Sequence, residues 1–106
     1  MARKKLSEHQ RDFVKAFNKL LTWAHARGYE FTFGDAYATS GHIEGSFHYK
    51  RLAIDLNLFI DGVYQTTTEA HRPIGEKWEK LGGTWGGRFR KKDGNHYSWG
   101  ESRGTS

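Results

Sequence analysis

Phe13, Phe17, Leu20, Leu21 and Ala24 recur at helical spacing, with Val14 at the stripe's edge, and predict an amphipathic helix from Ser7 to Arg27. Ser7 and Gln10, three residues apart, read as a capping box, and Gly28 as the C-cap. His9 and His25 lie off the stripe and read as surface residues. Residues 29–37 alternate enough for a strand, and the small, polar stretch 38–45 reads as a loop. From Arg51 to Ile60 the pattern changes period. Leu52, Ile54, Leu56, Leu58 and Ile60 form one apolar face of a strand, leaving Ala53, Asp55 and Asn57 on the other. Asp61-Gly62 is a hairpin signal, returning into a short strand at Val63. Pro73 is read as opening a second helix that runs to Leu81, with Ile74, Trp78 and Leu81 inward and Gly82-Gly83 as its stop. After a stretch rich in glycine and aromatics (84–89) and a basic turn (90–94), residues 95–99 form the last strand. The order is helix, strands, helix, strand, which predicts an α+β domain.

Composition narrows the chemistry. The chain has 106 residues and no cysteine, so a disulfide framework, a thiolate nucleophile and a thiolate metal site are all excluded. Any metal must be held by His and carboxylate. The length suits one domain spanning 1–106, ordered over about 6–99 with frayed ends. No apolar run approaches the ~20 residues that span a bilayer, and Met1-Ala-Arg-Lys-Lys leads into a polar helix, so neither signal peptide nor membrane insertion is expected. Seventeen Lys and Arg against twelve Asp and Glu give a net charge of +5, spread along the chain except at 3–5 and 88–92. Such a balance suits nucleic acid, an anionic envelope or plain solubility.

Two pairs of residues stand out. Asp55 sits on the polar face of an otherwise apolar strand, and His48 lies just before that strand, where a twisted sheet can bring the two together. Asp93-Gly-Asn-His96 places a carboxylate in a tight turn beside a strand imidazole. Alone, the first pair reads as a surface His with a solvated Asp, and the second as a hairpin with a satisfied His. Together, His48, Asp55 and His96 offer two nitrogens and one oxygen to a zinc ion at ~2.0–2.2 Å, with a fourth position open for water. Zinc lowers that water's pKa toward ~7, and Asp93 is the natural proton acceptor.

Here the chain resembles a known family. Ser46-Phe-His-Tyr-Lys-Arg-Leu-Ala-Ile-Asp55 is similar to the S-x-H-x6-D signature of zinc D-alanyl-D-alanine carboxypeptidases and phage endolysin peptidases, and Asp93-Gly-Asn-His96 to their second signature. Leu56-Asn-Leu-Phe59, Asp61-Gly-Val-Tyr64 and residues 81–87 extend the likeness, which runs from about Leu6 to Trp99. It looks closest to the L-alanyl-D-glutamate endopeptidases of phages. The resemblance implies a hedgehog/DD-peptidase fold, a small antiparallel sheet flanked by helices, and one zinc held by His48, Asp55 and His96. It implies Asp93 as general base and then acid, and Ser46 in the substrate cleft. It also implies a monomer acting on bacterial peptidoglycan, waiting in the host cytoplasm until a holin-type membrane protein releases it to the periplasm and wall.

One position departs from the family. Relatives commonly read Tyr-Arg-Thr where this chain reads Tyr37-Ala38-Thr39, and that arginine stabilises the oxyanion. Losing one such donor costs on the order of 100-fold in rate. Arg51, Lys50 and Arg88 are candidate replacements, with Tyr49 and His42 as uncharged donors near the substrate. Other readings are a D-Ala-D-Ala or L,D-carboxypeptidase of the same fold and a zinc-containing wall-binding domain without catalysis. Further off are a metal-dependent nuclease and a nucleic-acid module using 88–92 with Trp85, Phe89 and Tyr97 as stacking platforms.

Overall fold

The computed structural model describes residues 4–35, 47–48 and 50–101. Helix α1 (Leu6–Ala26) turns Phe13, Ala16, Leu20 and Ala24 inward. Its N-cap is Lys5, two residues before the Ser7 that the capping box predicts. Glu8 reaches back to the backbone N–H of Lys5 at 3.3 Å, whereas Gln10 donates to the Lys50 carbonyl at 2.8 Å. Gln10 is therefore a strut between α1 and the turn that carries His48, rather than a cap.

Strand β1 (Tyr29–Phe33) is shorter than the alternation predicts, and 36–37 lie outside the described residues. The central strand β2 (Ala53–Ile60) begins two residues after Arg51. Arg51 is held at φ 57, a left-handed conformation that costs a non-glycine residue energy and turns the chain into the strand. Asp61 and Gly62 follow with φ 51 and 76, the two positive values of a type I′ hairpin, and lead to β3 (Val63–Tyr64).

Helix α2 (Thr68–Lys80) starts five residues before Pro73, correcting the expectation that proline opens it. Thr67 is the true N-cap, its hydroxyl accepting the Ala70 N–H at 3.1 Å. Pro73 sits in the second turn, where it forfeits one backbone bond without ending the helix. The glycine- and aromatic-rich stretch holds a two-residue strand, β4 (Thr84–Trp85), and a single 3-10 turn over 86–88. Strand β5 (His96–Ser98) closes the described elements.

The sheet runs β1-β2-β5-β4, antiparallel throughout, with β3 also paired to β2. One face packs on the helices: Leu56, Leu58, Ile74, Trp78, Trp85 and Tyr97 are fully buried, and Phe17 meets Trp78 edge-on with centroids 6.1 Å apart. The other face carries Asp55 and His96 as register partners. This is the predicted α+β domain. Among the described residues no helix is long and apolar enough to cross a membrane.

Candidate metal centre

Asp55 is positioned by three segments at once. Its backbone N–H donates to the Asp35 carbonyl at 2.8 Å, and its carbonyl accepts from Gly34 at 2.7 Å, so both backbone groups point toward β1. Facing β5 it is therefore a non-hydrogen-bonded partner of His96, the arrangement that brings opposing side chains closest. His48 comes from the turn before β2, where Arg51 and Leu52 donate to the carbonyls of His48 and Phe47 at 3.2 and 3.0 Å.

The three side chains converge. His48 Nε2 stands 3.2 Å from Asp55 Oδ1 and 3.2 Å from His96 Nδ1, and His96 Nδ1 stands 3.6 Å from Asp55 Oδ1. A tetrahedron with arms of ~2.1 Å has edges of ~3.4 Å, so these atoms sit as three corners around one ion. His48 and His96 are buried and Asp55 half-buried. Among the described residues no donor in hydrogen-bonding geometry reaches Asp55 Oδ1, which leaves that oxygen for a cation. The donor set fits zinc.

Charge favours the same occupant. Burial works against ionisation of Asp55, but His48 and His96 outweigh it and hold the carboxyl at about 2. Burial likewise opposes protonation of His96, yet Asp55 and Glu101 carry its pKa up to about 9. Asp93 differs. Burial raises its pKa, His96 opposes the rise and Asp55 adds to it. Its Oδ2 is 4.0 Å from His96 Nδ1, beside the ligand atoms without joining them.

Glu101 is the residue the sequence did not expose. Its carboxylate accepts from His96 Nε2 at 2.7 Å and is buried. In the neutral, metal-binding form of His96 that bond places the proton on Nε2 and leaves the lone pair on Nδ1, facing the site. Order thus continues past Trp99 at least to Glu101, whose carbonyl also accepts the Thr84 hydroxyl. A ligating imidazole requires an acceptor for its second nitrogen, and a carboxylate five residues on, just past the strand, was the available signal.

Ser46, Tyr49, His42 and Ala38 lie outside the described residues. Arg51 lines a groove with Phe13, Val14, Phe17 and Phe33 on the α1 side. Arg88 is held by Glu79 through two contacts of 3.1 Å and lies over the Trp85 ring. Trp85, Phe89 and Tyr97 are buried, so none can offer a face to a nucleic-acid base.

Among the described residues, two imidazoles and one carboxylate leave a coordination position open, as hydrolytic metal sites do and structural ones, closed by four protein ligands, do not. The sequence model of a family described as D-alanyl-D-alanine carboxypeptidase matches residues 39–99. That span is more than half of the chain and includes all three candidate ligands and Asp93, and the chain belongs to this family of zinc peptidases. No curated protein matches it.

Proposed function

We propose that the protein is a zinc-dependent peptidoglycan peptidase of the phage endolysin type, cutting the L-alanyl-D-glutamate bond of the stem peptide. The observation that carries this reading is the trio of ligand atoms 3.2–3.6 Å apart with a non-ligating carboxylate next to them. His48, Asp55 and His96 would hold the ion, which supplies Lewis acidity when bound. Asp93 takes a proton from the attacking water and returns it to the leaving amine. Its raised pKa suits both transfers. Glu101 keeps His96 in the ligating tautomer. Arg51 remains a candidate for the oxyanion role vacated at Ala38, together with Tyr49 and His42, with Ser46 in the cleft. In this reading the protein acts as a monomer at the wall, after a holin-type membrane protein has released it from the host cytoplasm, and its charge of +5 favours an anionic envelope.

The family's description favours a second reading, in which the same site removes the terminal D-alanine. Mass spectrometry of muropeptides after digestion of purified peptidoglycan separates the two. Endopeptidase action leaves L-alanine on the glycan strand and frees a glutamate-headed peptide, whereas carboxypeptidase action releases D-alanine alone. Unchanged muropeptides with zinc-loaded protein would sink both.

A further inference from the structure

Beside Asp93, on the side facing α2, lies a polar cleft of about 260 Å³. Its walls include Thr66, Thr67, Thr68, His71, Lys92 and Asn95. The cleft is tightly built where the two walls meet. A Cβ on Gly94 would lie 2.6 Å from the Thr68 Cα, so the 93–96 turn rests directly on the first residue of α2.

Apart from the Asp93 carboxylate, which also lines this space, its walls offer several hydrogen-bond donors. The first amides of α2 have no intrahelical acceptor, and among the described residues a side chain takes only that of Ala70, through Thr67. Lys92 makes no ion pair among the described residues. His71 is 3% exposed, and burial alone lowers its pKa to about 4, so it is neutral. Its Nδ1 lies 2.7 Å from the hydroxyl of Tyr97, which is fully buried. That phenol's proton has no other acceptor among the described residues, so Tyr97 donates and Nδ1 accepts. The single N–H of the neutral imidazole is thereby on Nε2, which makes no hydrogen bond of its own among the described residues. An unpartnered donor on a buried imidazole, facing a cleft that also holds the Lys92 ammonium and the start of α2, calls for an anion.

We propose that this cleft is the subsite for a carboxylate on the carbon that bears the scissile nitrogen, an inference that rests on the peptidase reading above. Both candidate bonds share that chemistry. In γ-linked D-glutamate the free α-carboxylate sits one carbon from the scissile nitrogen, and in terminal D-alanine so does the chain's own carboxylate. Asp93, on the same wall, is then within reach of the leaving amine while the carboxylate sits among His71, Lys92 and the start of α2.

The test compares stem peptides carrying that carboxylate with their carboxamides, using zinc-loaded wild type, Lys92→Gln and His71→Gln. Amidation should raise the wild-type KM on the order of tenfold, the worth of one charge-assisted hydrogen bond. In both variants the acid–amide ratio should shrink toward one, with zinc content unchanged. Lys92 is exposed, so its variant reads the subsite even if His71→Gln folds poorly. An acid–amide ratio in Lys92→Gln equal to that of wild type overturns the proposal. Titration with N-acetyl-D-glutamate and N-acetyl-D-alanine, followed by amide NMR, needs no turnover. Shifts at Thr68, Glu69 and Gly94 in a protein that cleaves nothing would uphold the subsite and remove the peptidase reading. Millimolar probe that leaves those amides unmoved overturns the subsite.

Discussion

Glu101 and Asp93 are both carboxylates near His96, and their surroundings separate their roles. Glu101 is buried and hydrogen-bonded to the ligand's far nitrogen, so Glu101→Gln should weaken zinc binding roughly 10–100-fold. Asp93→Asn should keep zinc and lower turnover on the order of 100-fold or more. Chelator competition and peptidoglycan turnover, run on both variants, check the pair. The reverse pattern would exchange the two roles. His71 gives a separate signal. Its pKa of about 4 in the folded chain lies below the 6.5 of a free imidazole, so the unfolded chain gains its proton first as pH falls. Stability present above about pH 6.5 should be lost progressively down to about pH 4, with no further loss from this group below that. The urea midpoint of metal-free protein should track this slope, and His71→Gln should flatten it. At this scale His48, Asp55 and His96 were legible because an Asp facing away from five apolar neighbours has no packing reason to be there. Glu101 was not, since local pattern treats a polar stretch after the last strand as tail, and only the far nitrogen of His96 demands it.

The elements were legible where periodicity is long and less so where it is short. Twenty-one residues of α1 carry a clear stripe, whereas β4 has two residues and no period to detect. Proline misplaced the start of α2 because its preference for first turns outweighed, on paper, the capping hydroxyl of Thr67 that governs in the fold. Two indoles then do for β5 what its three residues cannot do alone. The Trp78 N–H donates to the Ser98 carbonyl at 2.9 Å, and the Trp85 N–H to the Gly94 carbonyl at 2.8 Å. Gly75 and Gly87 leave the space that the Trp85 ring fills. Trp78→Phe and Trp85→Phe should each cost about 1–3 kcal/mol by orphaning a buried carbonyl. Only Trp85→Phe frees the 93–96 turn that leads into His96, so it should also weaken zinc binding several-fold. Melting temperature and zinc affinity, measured on the same samples, test that difference. Equal zinc affinity in the two variants would deny the indole any part in setting the turn.

Over the whole molecule, element order was enough to give an α+β domain, and the face that carries the site followed from the odd positions of β2. Which strands neighbour which was not legible, because β2 and β5 meet across a long stretch of sequence and nothing local specifies the pairing. That long-range meeting divides the site. On one side of the exposed Asp61–Gly62 turn the chain holds His48 and Asp55, and on the other it holds Asp93, His96 and Glu101. Cut at that turn, neither half has three ligands, and neither should hold zinc against a chromophoric chelator. Joined to two proteins that bind each other, the halves should recover the metal as the partners associate. A half that binds zinc as tightly as the intact chain would contradict the cross-strand assembly. The ion thus answers a yes-or-no question about the chain, whether its two ends have found each other, and a split version could serve as a switch that reports the encounter of whatever it is fused to.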